Sequence, residues 1–206
     1  MLDRLVWIDC EMTGLDPDKD ALVEVAAIVT DSELTFLDDG IDLVIATPAA
    51  SMALMEPVVS DMHARSGLTE AVAASTLPLA EAERLVLDYV QRHVPEAGKV
   101  PLCGNSIATD RGFLTRYMPA VDKWLHYRMV DVSSIKELAH RWYPKAYYTA
   151  PEKKGGHRAL ADILESVQEL RYYRSAIFLP AGSSSPVEGV EAEADVVPLP
   201  RTVSAD

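Results

Sequence analysis

The feature that most limits the fold is a short apolar run ending in paired acids. Leu5-Val6-Trp7-Ile8 leads straight into Asp9-Cys10-Glu11, with Thr13-Gly14 just beyond. A continuous apolar run of this length fits a strand covered on both faces. Side chains at i and i+2 of a strand share a face, so Asp9 and Glu11 point the same way. Two carboxylates held side by side repel unless cations bind them, which makes them ready oxygen ligands for Mg²⁺ or Mn²⁺. Taken alone, the pair also fits a solvated strand end, and the chain has other acid-x-acid pairs such as Glu81/Glu83.

The remaining pattern predicts the frame around that strand. Residues 22–29 form a second apolar run broken by Glu24, and 41–45 form a third strand of a hairpin-like opening sheet. Helical pattern begins after Pro57 and is strongest over 78–94, where Leu79, Ala82, Val86, Tyr89 and Val90 recur at helical spacing. Strands at 100–103 and 127–132 then alternate with helices at 109–117 and 134–142. Residues 143–156 read as a polar, Lys-rich loop with Pro and Gly, and a last helix covers about 159–176. Three opening strands followed by alternating helices and strands predict an α/β sandwich with a mixed sheet. The body is expected to span 1–180. Residues 181–206 carry five acids, one Arg and no aromatic residue, and they predict a disordered acidic tail.

Charge narrows the function. With 19 basic and 32 acidic residues the net charge is −13, a poor balance for gripping long nucleic acid non-specifically. It leaves room for a short nucleotide substrate in a metal-lined pocket. Two cysteines, Cys10 and Cys103, supply neither a disulfide framework nor a four-Cys zinc site, and both fall in apolar strand segments. They read as reduced, buried thiols of a cytoplasmic protein. No apolar run approaches the ~20 residues of a membrane span, and the first residues lack the basic lead of a signal peptide, so neither is expected.

Two further segments carry chemistry. Gly104-Asn105-Ser106 ends a strand, and Asp110 falls in the first turn of the next helix. An Asp there also serves simply as a charge favoured by the helix dipole. Asn105 and Ser106, at a strand's carboxyl end, are placed where α/β sheets bind ligands. The second segment is Gly155-Gly156-His157-Arg158-Ala159-Leu160-Ala161-Asp162. Five helical steps rotate by ~500°, so a fully helical His157 would point about 140° away from Asp162. The two work together only if His157 precedes the helix, which the glycines permit. An imidazole near a bound water is a natural general base; a surface His beside a lone helix acid is the plainer alternative.

The order strand Asp-x-Glu, post-strand Asp, and His-x₄-Asp on a terminal helix resembles the DEDDh branch of the RNase D/proofreading 3′→5′ exonuclease superfamily. Residues 7–16 (Trp7-Ile8-Asp9-Cys10-Glu11-Met12-Thr13-Gly14-Leu15-Asp16), the segment Ser60-Asp61-Met62-His63-Ala64-Arg65-Ser66-Gly67-Leu68, Gly104-Asn105-Ser106 and residues 155–162 are similar to the oligoribonuclease family over about residues 3–178.

The resemblance implies a ribonuclease-H-like mixed β-sheet flanked by α-helices, a homodimer, and hydrolysis of very short RNA from the 3′ end, down to dinucleotides, to 5′-mononucleotides. On the two-metal template, Asp9, Glu11, Asp110 and Asp162 are expected to hold two divalent ions ~4 Å apart, Asp9 bridging them, with His157 as base. Leu15 is expected to wedge between bases, and His63, Asn105 and Ser106 to line the nucleotide pocket. Tyr127, Arg128 and Ser133 are expected from the other protomer, capping the 5′ end. The aromatic residues Trp124, Trp142, Tyr143, Tyr147 and Tyr148 fit a dimer interface. Competing expectations are another DEDDh exonuclease acting on longer RNA or single-stranded DNA, and a non-catalytic nucleotide-binding scaffold.

Overall fold

A computed structural model describes residues 3–152 and 155–180. The segment expected to be an acidic tail, 181–206, lies outside the described residues. The chain runs β1 (Arg4–Met12), β2 (Leu22–Asp31), β3 (Ile41–Val44), α1 (Ala49–Met52), α2 (Pro57–Arg65), α3 (Leu68–Ala74), α4 (Leu79–His93), β4 (Pro101–Gly104), α5 (Ala108–Tyr117), α6 (Pro119–Trp124), β5 (His126–Asp131), α7 (Val132–Trp142), α8 (Pro144–Tyr148) and α9 (Ala159–Ile177). The five strands form one sheet in the order β3-β2-β1-β4-β5. β1 to β3 pair antiparallel, and β4 and β5 add parallel to β1, giving the expected mixed sheet.

The continuous apolar runs arise because helices cover both faces of the central strands. Val6, Ile8 and Cys10 of β1, with Val25, Ala27 and Val29 of β2, pack under α4, α5 and α6 through Val86, Tyr89, Phe113, Leu114 and Val121. Trp7, Ala26, Ile28 and Cys103 point the other way, against Ala159, Ile163, Val167 and Leu170 of α9. Strand parity therefore puts Asp9 and Glu11 on the α9 face, along with Glu24 from β2. Both cysteines are buried and unpaired, as expected. No helix among the described residues is long and apolar enough to cross a membrane.

The stretch 143–156 is not wholly a loop. Pro144 opens the short helix α8, where its missing N–H is harmless. A helix of five residues is too short to show a period in sequence.

Candidate active site

β1 delivers the first two acids and α5 the third. The Cys10 backbone N–H donates to Asp110 Oδ1 at 3.0 Å, drawing the first turn of α5 against β1. Glu11 and Asp110 are buried. The fourth acid comes from α9, which starts at Ala159, so Asp162 lies in its first turn. His157 precedes the helix, in the left-handed region with φ 47°. Sequence geometry required that placement, and it lets the imidazole turn back. Glu11, His157 and Asp162 each offer a ligand atom within 4.8 Å of the others.

Electrostatics ties Asp9 and Asp110 to the same cluster. Burial raises the Asp9 carboxyl well above the ordinary range, and the charges of Asp110, Asp162, Glu11 and Glu24 raise it further. Burial pushes Asp110 up to about 7, with Glu11 and Asp131 adding to it, although the Cys10 N–H bond works the other way. Crowded, desolvated carboxylates of this kind prefer either protons or hard cations. An all-oxygen carboxylate set suits Mg²⁺ or Mn²⁺, with the imidazole at its edge.

The structure separates the predicted substrate residues. Leu15 stands 78 % exposed on the turn after β1. That turn is braced by Asp20, whose carboxylate accepts from Thr13 Oγ1 at 3.3 Å and from the Asp16 backbone N–H at 2.9 Å. A Cβ at position 14 would strike that carboxylate, hence Gly14. His63, expected to line the nucleotide pocket, is fully buried in α2, its Nε2 3.5 Å from Glu11 Oε2 and neither ring nitrogen hydrogen-bonded. It is the one buried residue of α2 and lies against Glu11.

Asn105 is also committed inside the chain. Its Nδ2 donates to Ser166 Oγ at 2.8 Å and Glu169 Oε2 at 3.2 Å, and its Oδ1 accepts from Ser133 Oγ at 3.0 Å. The Ser106 N–H donates to Asp131 Oδ1 and Ser133 Oγ, each at 3.0 Å. Ser133 thus stands beside Ser106 in one chain. Its Oγ also lies 3.2 Å from Ser106 Oγ. Tyr127 and Arg128 lie apart from these, exposed on the edge strand β5, with the guanidinium 5.7 Å from the ring centre.

Sequence pattern marked Glu24 only as a break in an apolar run, and Arg158 only as part of the 155–162 segment, with no role. Glu24 is fully buried and takes Arg158 Nε at 2.8 Å and Nη2 at 2.6 Å on Oε1. The signal available was the lone acid itself, since a carboxylate inside a two-sided strand needs a partner. Beside His157, a cleft of about 560 Å³ opens between α2 and the 155–157 segment, lined by Val58, Met62, Arg65 and Gly156 among others.

The RNase T family model, described as exonuclease, matches residues 6–170. An oligoribonuclease of Streptomyces avermitilis is 63% identical over 180 residues, covering 87% of this chain and 90% of the relative. One from Mycobacterium sp. (strain KMS) is 57% identical over 195 residues, covering 94% and 91%. Among solved structures, an exonuclease I aligns with a TM-score of 0.65 at 16% identity, over 85% of this chain and 41% of the other. Exonuclease I from Methylocaldum szegediense aligns with a TM-score of 0.62 at 21% identity, over 84% and 40%. These last two share the fold, and this chain spans about 40% of their length.

Proposed function

Because the chain belongs to the oligoribonucleases of the RNase T exonuclease family, we propose that it hydrolyses very short RNA from the 3′ end, dinucleotides above all, releasing 5′-mononucleotides. The observation that carries this is the meeting of Glu11, His157 and Asp162, from opposite ends of the sequence, within 4.8 Å. Asp9 and Asp110 share their electrostatic field.

Asp9, Glu11, Asp110 and Asp162 would hold two divalent cations, Mg²⁺ or Mn²⁺. Bound there, such ions neutralise phosphate charge and make a water acidic enough to attack. His157, from its position ahead of α9, would serve as the base that accepts a proton from the attacking water. The glycines on its N-terminal side give the imidazole room to approach and withdraw. Asp110 is held against β1 by the Cys10 N–H. His63, buried behind Glu11, limits where that carboxylate swings.

Substrate length follows from charge and shape. A chain this acidic repels a long polyanion outside the cation site, while a dinucleotide exposes few phosphates beyond it. Leu15, held out by the Asp20 brace, is placed to separate two bases. We assign the enzyme to a homodimer in the cytoplasm. The apolar residues exposed along α7 and the end of α9, including Leu138, Trp142, Tyr143 and Phe178, support a subunit contact. Across it, Tyr127 and Arg128 of one protomer would close the 5′ end of the substrate bound by its partner. The catalytic unit is residues 1–180.

Digestion of RNAs two to ten nucleotides long, alongside single-stranded DNA, with Mg²⁺ or Mn²⁺ tests this. Fastest turnover at two nucleotides supports it. Preference for long RNA or DNA would favour a trimming or proofreading exonuclease, and no turnover would favour a scaffold.

A further inference from the structure

Glu24 and Glu11 are directly paired across β2 and β1, both on the α9 face. Like charges opposite one another destabilise a sheet, and a buried carboxylate needs partners. Glu24 has them. Arg158 donates twice to its Oε1, and the Ala159 N–H donates to its Oε2 at 3.0 Å. α9 has no side-chain cap of its own, so Glu24 caps it from a strand 135 residues away. The Arg158 carbonyl in turn accepts from the Asp162 N–H at 3.0 Å. His157 is the residue immediately before this clamp, and its left-handed backbone costs energy that the surroundings must hold.

We propose that Glu24, acting through Arg158, is a positioning residue that holds His157 against the acid cluster. The proposal rests on the function assigned above. The forked, two-bond contact fixes the direction of the chain as it enters α9. A lysine at 158 would keep the charge but lose that fork.

The test compares the wild type, Arg158→Lys and Glu24→Gln, each with and without His157→Ala. Turnover of a dinucleotide gives kcat and KM, and NMR of the His157 ring in the metal-free protein reports its position independently of turnover. Arg158→Lys is expected to lower kcat about tenfold or more with KM little changed. It should add no further loss in the His157→Ala background, and it should shift or broaden the His157 ring signal. Glu24→Gln should do the same wherever it folds. An unchanged His157 signal, or an equal loss in the His157→Ala background, overturns the proposal. If the wild type fails to cut short RNA, the assigned function falls, and the ring signal still decides the clamp.

Discussion

The Cys10 N–H and the Asp110 carboxylate, 100 residues apart in sequence, are joined by a 3.0 Å hydrogen bond. One oxygen of Asp110 is thereby spent on the backbone of β1, between the two acids that strand carries. The bond stabilises the charged form of a carboxylate that burial and its neighbours push toward neutrality, and burial dominates. Asp110→Asn retains an acceptor for the N–H and removes the charge. It should lower turnover about 100-fold or more through lost cation binding. Without metal, at pH 8, its thermal midpoint should exceed that of the wild type. A thermal melt in EDTA and a turnover assay check the two halves.

The same group sets a pH dependence. The Asp110 pKa is raised to about 7 in the folded chain from 3.8. Between those values the folded state binds more protons than the unfolded state, so stability falls as pH rises through the window and is greatest below it. Asp9 is shifted the same way. The metal-free protein should therefore melt at a higher temperature at pH 6 than at pH 8. Saturating Mg²⁺ should reduce the difference, because cations favour the ionised carboxylates. Melts across pH with and without EDTA measure it.

His157→Ala should leave cation binding nearly intact and reduce turnover by about 100-fold or more, the usual range for a lost general base. Calorimetric titration with Mn²⁺ beside single-turnover kinetics separates the effects. Normal turnover would remove His157 from the role of base.

Arg128 lies exposed beside Tyr127 on the edge strand β5. If it grips a 5′ phosphate across the dimer, Arg128→Ala should weaken 5′-phosphorylated dinucleotides about tenfold to 100-fold. Unphosphorylated dinucleotides should change little. Competition binding with the two ligands checks it, and equal loss on both would leave Arg128 as an interface residue.

Much of the site was legible because its signals are local. Strand parity alone aligned Asp9 with Glu11, and helical rotation alone required His157 to precede α9. The α5 placement of Asp110 followed from the strand-to-helix turn. What sequence hid was partnership across space. Glu24 showed as a flaw in a strand, since its Arg158 partner belongs to the far end of the chain. His63 carried no mark of whether it would face solvent or Glu11. Ser133 was grouped with Arg128 on the family resemblance alone, and its hydrogen bond from the Ser106 N–H, made by the turn into α7, left no mark in the sequence. The short helices α1, α6 and α8 span too few turns to leave a period.

The central claim is that acids from β1, α5 and α9 share one pair of divalent cations. It is tested most directly by counting Mn²⁺ bound to the His157→Ala protein in the presence of a dinucleotide, with and without Asp9→Asn. Two ions per chain, with both weakened by Asp9→Asn, is the predicted result. Mn²⁺ binding that is absent, or that Asp9→Asn leaves unchanged, would contradict it.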